Sequence, residues 1–109
     1  MKFISRTEEF ILLSVLKLKD DAYAVPIRKR LNKMTGKIWA YGALFVMLNR
    51  LEKKGLLGSY LSDPTSQRGG RSKRIYILNP SGKKALLEIK KTHENIWSEI
   101  SELELADTS

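Results

Sequence analysis

The sequence predicts a mainly α fold with one β-hairpin, in the order of three helices, the hairpin and a long last helix. Three observations predict it. Apolar residues recur at helical spacing in three successive stretches, each bounded by a cap, a proline or a glycine. Two short runs, Leu56–Ser62 and Arg74–Leu78, flank a polar segment rich in Gly and Arg, the pattern of a hairpin with a long tip. The basic charge then stops at Lys91 and a hydrophobic repeat takes over. Residues 1–91 hold all twenty Lys and Arg and seven of the twelve Asp and Glu, whereas residues 92–109 hold five acids and no base.

In the first helix Thr7 serves as the cap, with Glu8 and Glu9 in a first turn where the helix dipole favours acids. Its apolar residues run Phe10, Leu13, Val15 and Leu16, and it ends near Lys19. Asp20 and Asp21 make the turn. Pro26 falls in the first turn of the second helix, where a missing backbone donor costs little. Ile27, Leu31 and Met34 supply that helix's buried stripe, and Thr35-Gly36 stops it. After an extended Lys37-Ile38-Trp39, the third helix runs from about Tyr41 to Lys54 with Leu44, Leu48 and Leu51 inward and Gly55 as its stop. Its other face displays Gly42, Ala43, Val46, Asn49, Arg50 and Lys53. The returning strand puts Ile75 and Ile77 on one face. Asn79 with Pro80 then caps and opens the last helix, expected to continue to about Leu103.

Three helices followed by a hairpin is the order of a winged helix-turn-helix, in which the third helix enters the major groove and the wing lies along the DNA backbone. On the last helix, Leu86, Ile89, His93, Ile96, Ile100 and Leu103 alternate at spacings of three and four, a stripe suited to another helix. Trp97 lies beside it. The expected fold is therefore a winged helix-turn-helix over residues 1–79, followed over residues 80–109 by a long C-terminal dimerisation helix and acidic tail.

Composition bounds the function. At 109 residues and 42% hydrophobic, the chain suits one domain with a modest core. No apolar run approaches the roughly 18 residues of a membrane span, and residues 1–19 lack a secretory cleavage pattern, so the expected location is the cytoplasm with no membrane partner. The absence of cysteine excludes a disulfide framework and a thiolate metal site. A single His, no metal-ligand spacing and no phosphate-binding glycine motif leave no catalytic constellation, so neither an enzyme nor a cofactor is expected. The net charge of +8 suits nucleic acid or another anionic surface, and charge alone does not choose between them.

The chain resembles the PadR-type transcriptional regulators over about residues 10–90. The matching segments are Phe10–Leu18, YAVPIRKRL from Tyr23 to Leu31, YGALFVMLNRLEKKGLL from Tyr41 to Leu57, QRGGRSKRIYIL from Gln67 to Leu78, and NPSGKKAL from Asn79 to Leu86. The short C-terminus looks like the smaller branch of that family, in which a single terminal helix mediates dimerisation. The resemblance implies a homodimeric, ligand-responsive repressor of a nearby operon. The chain departs from the family at Ala43, where a small hydroxyl residue is usual, and at Phe45, where tyrosine is usual; two implied phosphate donors are missing. Ala24 stands where glycine is common, and Pro26 where an acid is often found.

The wing residues Arg68, Gly69, Gly70, Arg71 and Lys73 have the make-up of a phosphate contact, since glycines admit close backbone donors and arginine forks match phosphate oxygens. Alone they would equally suit a solvated turn; behind a helix-turn-helix they read as DNA contacts. Asn49 and Arg50 are candidates for base-edge readout of adenine and guanine, although Arg50 equally suits a phosphate. Ala43 and Val46 suit thymine methyls, and Tyr41, Gly42, Phe45 and Lys53 complete the surface. His93 reads first as a packing residue of the seam. Phe10, Trp39, His93 and Trp97 could line a cavity for a small flat aromatic effector if the last helices pair, the plainer alternative being that Trp97 fills the seam. The expected partners are double-stranded DNA with a pseudo-palindromic operator and a second copy of the chain. The rivals are a winged-helix protein-interaction module, and binding of structured RNA or an anionic membrane surface.

Overall fold

The computed structural model describes residues 4–63 and 72–106. Helix α1 spans Arg6–Leu18 and is followed by a 3-10 turn at Lys19–Asp21; α2 spans Ala24–Thr35 and α3 Tyr41–Lys53. Strands β1, Leu57–Leu61, and β2, Arg74–Leu78, form the hairpin; α4 spans Pro80–Trp97 and α5 Glu102–Ala106.

Ser5, rather than Thr7, caps α1. Its hydroxyl accepts from the Glu8 backbone N–H at 3.1 Å, and the Glu8 carboxylate accepts from the Ser5 N–H at 3.0 Å. This reciprocal pair satisfies two orphan donors at once, which Thr7, with Phe10 three residues on, has no means of doing. The second oxygen of buried Glu8 meets Lys54 Nζ at 3.1 Å, tying α1 to the end of α3. Burial pushes the Glu8 carboxyl up, but the Ser5 backbone donor, Lys54 and the Ser5 hydroxyl together outweigh it and hold it below its ordinary value.

The core lies between the first three helices and the hairpin. It comprises Ile11, Leu12 and Val15 of α1, Ile27 and Leu31 of α2, and Leu44, Leu48 and Leu51 of α3, closed by Leu56, Leu57 and Tyr76. The α1 stripe is thus rotated from the expected one: Leu13 and Leu16 are 39% and 45% exposed on the side that faces α4. Met34, in the last turn of α2, is also exposed; Gly36, at φ 71°, ends the helix. Gly55, at φ 77°, ends the turn after α3 in the same way.

The strands pair antiparallel with Leu57 opposite Leu78 and Leu61 opposite Arg74. Ile75 is buried, but Ile77 is exposed and Tyr76 from the opposite face is buried in its place. The Tyr76 N–H donates to the Ala22 carbonyl at 2.8 Å, which draws β2 against the α1–α2 turn and presses the ring inward. Burial, and next the Glu52 carboxylate, raise the Tyr76 hydroxyl above its ordinary value against the opposing charge of Arg74.

Helix α4 begins inside this body. Gly82 is buried, and a Cβ there would collide with the Leu56 carbonyl and come within 2.6 Å of Leu78 Cδ1. The helix does not continue to Leu103. It stops at Trp97; the Ser98 hydroxyl donates to the Asn95 carbonyl, and a second capping box, Ser101 with Glu104, starts α5. Ile100 therefore lies in the turn and Leu103 in a separate short helix. The molecule measures 61 × 28 × 20 Å, with a radius of gyration of 16.9 Å against the roughly 13 Å of a compact chain this long. No described helix is long and apolar enough to cross a membrane.

Candidate nucleic-acid interface

Because Leu44, Leu48 and Leu51 are fully buried, the helical period turns the rest of α3 outward. Tyr41, Gly42, Ala43, Phe45, Val46, Asn49, Arg50 and Lys53 are all exposed, so the structure brings the eight α3 residues singled out from sequence onto one accessible surface. A Cβ on Gly42 would meet nothing within 4 Å, so nothing in the protein itself requires glycine there. Tyr41 and Phe45 stack with ring centroids 6.4 Å apart, forming an apolar ridge at the N-terminal half of the face.

The orientation of that face is fixed by polar residues of α2 that the sequence reading passed over. Arg28, Asn32 and Thr35 lie at i, i+4 and i+7, a polar stripe beside the buried one. Each grips the extended residue Trp39: Arg28 Nε donates to its carbonyl, its N–H donates to Asn32 Oδ1 at 2.8 Å, and its indole Nε1 donates to Thr35 Oγ1 at 3.0 Å. The Arg28 guanidinium also lies 4.6 Å from the Tyr41 ring centroid. The turn between α2 and α3 is held at both ends without a side-chain cap on α3. A polar i, i+4, i+7 stripe on an amphipathic helix was the available signal.

Arg68, Gly69, Gly70 and Arg71 lie outside the described residues. The base of the hairpin is described: the Ser62 N–H donates to the Lys73 carbonyl at 2.8 Å, and the Lys73 N–H donates to Ser62 Oγ at 2.9 Å. Lys73 is exposed, with its ammonium 4.2 Å from the Tyr23 ring centroid. This contact puts a wing cation beside the N-terminus of α2 and adds Tyr23 to the residues near the interface.

At the other end of the molecule, Leu86, Ile89 and His93 are half-buried, whereas Ile96, Trp97, Ile100 and Leu103 are exposed. A groove of about 480 Å³ runs between α1 and α4 over Leu13, Leu16, Leu86 and Leu87, with His93 at one end. Of the four residues named for an effector, only His93 lines it. Trp39 is engaged at the α2–α3 turn, and within one chain the four do not meet in that groove.

The sequence matches the transcriptional regulator PadR-like family over residues 12–88. The chain belongs to the PadR-like family. It is thus a DNA-binding transcriptional regulator with a winged-helix fold. A PadR family transcription regulator from hypervirulent Clostridium difficile is 28% identical, with a TM-score of 0.67 over 87% of this chain and 93% of that one. A PadR-like transcription factor from Bacteroides fragilis is 27% identical, TM-score 0.67, over 84% of each chain. A PadR-like regulator from Bacillus cereus shares the fold at 22% identity and a TM-score of 0.71, over 88% of each chain. No curated protein matches the sequence. In PadR-like terms, the matched segment holds α3, the hairpin and the first half of α4; residues 89–109, with the helix break and most of the acidic charge of the tail, follow it.

Proposed function

We propose that the protein is a cytoplasmic, homodimeric, ligand-responsive repressor in which residues 1–79 read DNA and residues 80–109 join two copies. The exposed α3 face, held by the Trp39 lock beside a wing cation, carries this reading. Two α3 helices enter successive major grooves of a pseudo-palindromic double-stranded site, with Asn49 and Arg50 at base edges and Ala43, Val46 and Phe45 against thymine methyls. Lys53 and Lys73, with Arg68, Gly69, Gly70 and Arg71 of the wing, meet phosphates. The apolar residues of α4 from Leu86 to Trp97 pair with their twins. A flat aromatic effector seated near His93 and Trp97 alters the angle between the copies, changes the distance between the two α3 helices and releases DNA.

The test is protection of the DNA upstream of the protein's own gene, against excess random duplex and across a salt series. A two-fold symmetric footprint that survives competitor and weakens steeply with salt is expected. The exposure of Phe45 and Val46, 43% and 57%, favours a second reading, a winged helix that docks another protein through α3. That reading requires loss of the footprint to competitor and no change in DNA affinity on replacing Arg50.

A further inference from the structure

The hairpin is tied to the body by contacts that change along its length. At the body end Leu57 and Tyr76 belong to the core, and the Tyr76 N–H holds the Ala22 carbonyl. Burial then fades along β1 toward the tip, until Tyr60 and Leu61 are exposed. Apolar packing therefore fixes where the hairpin starts and leaves the direction of its outer half to other contacts.

Those contacts are polar, and they form where the packing ends. Ser59 is half-buried midway along β1; its hydroxyl donates to Glu52 Oε2 at 3.1 Å and accepts from Arg74 Nη1 at 3.0 Å. A hydroxyl has one donor and two lone pairs, so it makes both bonds at once and here relays an anion on α3 to a cation on β2. Hydrogen bonds to charged partners are stronger than neutral ones. Glu52 lies in the last turn of α3, two residues after Arg50 and one before Lys53. An acid so close to a surface that meets a polyanion repels it unless its charge is used within the protein. Glu52 is half-buried and turned to the hairpin, and the relay is that use. On the other strand Arg74 follows Lys73, whose ammonium packs on Tyr23 at the start of α2. The wing cation is thus held from α2 by Tyr23 and from α3, one residue along, by the relay.

We infer that Glu52 and Ser59 are positioning residues for DNA binding: acting through Arg74, they set the direction of β2 and with it the place of Lys73 relative to the outward face of α3. Neither touches DNA itself. The inference rests on the reading above that α3 and Lys73 both meet the duplex. The DNA fixes the distance from a groove contact to a flanking phosphate, so a hairpin free to swing loses the phosphate and keeps the groove.

The test uses the full chain and the duplex upstream of its own gene, across a salt series, at a temperature where circular dichroism shows every variant folded. Lys73→Gln in the unmodified chain is expected to lower affinity and to reduce the slope of log affinity against log salt by about 2, one phosphate in each half-site. Ser59→Ala is expected to weaken binding on the order of fivefold and to leave Lys73→Gln with little further effect, a non-additivity that loss of stability alone does not produce. Ser59→Thr keeps the hydroxyl and is expected to bind like the unmodified chain. Glu52→Ala separates positioning from charge, since removing an acid beside DNA tightens binding whereas losing the relay weakens it. If Lys73→Gln acts equally with and without the Ser59 hydroxyl, or if Glu52→Ala tightens binding, the positioning is overturned and the wing contact stands. If Lys73→Gln changes neither affinity nor slope in the unmodified chain, the wing reading fails and the positioning with it.

Discussion

Glu8 performs two tasks while buried: it completes a helix cap and pairs with Lys54. Its folded carboxyl titrates below the ordinary value of 4.5. The stability it contributes is therefore fully present above the unfolded value and is lost as pH falls through the folded one. Urea unfolding of Glu8→Gln is expected to show a loss of about 2 kcal/mol at pH 7, shrinking as the pH falls through the folded value, below which the wild type has lost the same contribution. Gly82 is set by packing rather than by backbone conformation. Gly82→Ala should cost roughly 1–3 kcal/mol in the same measurement, since the carbonyl of Leu56 cannot turn aside as a side-chain tip can. Gly42 is the converse case. Gly42→Ala has free space, and helix propensity predicts equal or slightly higher stability, by up to about 1 kcal/mol; DNA affinity should nevertheless fall, because the added methyl projects from the face proposed to meet the groove. Affinity that stays unchanged would place Gly42 outside the contact.

At the scale of elements, the helices and strands were largely legible, and the errors have local causes. The two capping boxes, Ser5 with Glu8 and Ser101 with Glu104, are both present as S-x-x-E; at the first, Thr7 before two acids is a competing cap signal, and at the second the apolar stripe through Ile100 and Leu103 is a competing signal for unbroken helix. The apolar spacing runs on through Ile96, Ile100 and Leu103 whether or not the backbone between them is helical, so the stripe does not reveal the break. Ile75 and Tyr76, on opposite faces, are both buried while Ile77 is exposed, because the Tyr76 N–H bonds the Ala22 carbonyl and brings that part of β2 against the α1–α2 turn, a tertiary contact that strand alternation does not anticipate. The α2–α3 lock required knowing that Trp39 folds back on α2. Arg28→Lys removes the Nε donor and the planar group over Tyr41, and is expected to destabilise the fold by about 1–2 kcal/mol. Its DNA affinity should fall further than the folded fraction accounts for, measured at a temperature where both proteins are folded.

At the scale of the whole molecule, the charge partition organises the proposed function: a basic body with an acidic extremity, drawn out along 61 Å. Replacing Lys53 with Gln should weaken binding to specific and random duplex alike and reduce the slope of log affinity against log salt by about 2, one phosphate in each half-site. An unchanged slope would remove Lys53 from the phosphate contacts. The sequence by itself determined the order of elements, the buried leucines of α3 with the outward face they imply, and the separation of charge, because all three follow from periodicity and composition along the chain. Only the tertiary structure decided which residues of α1 are core, where the last helix breaks, how Trp39 is gripped, and that Arg30 Nε lacks an acceptor among the described residues. Those features depend on which surfaces meet in space, and a one-dimensional pattern fixes the faces of an element without fixing what stands opposite them.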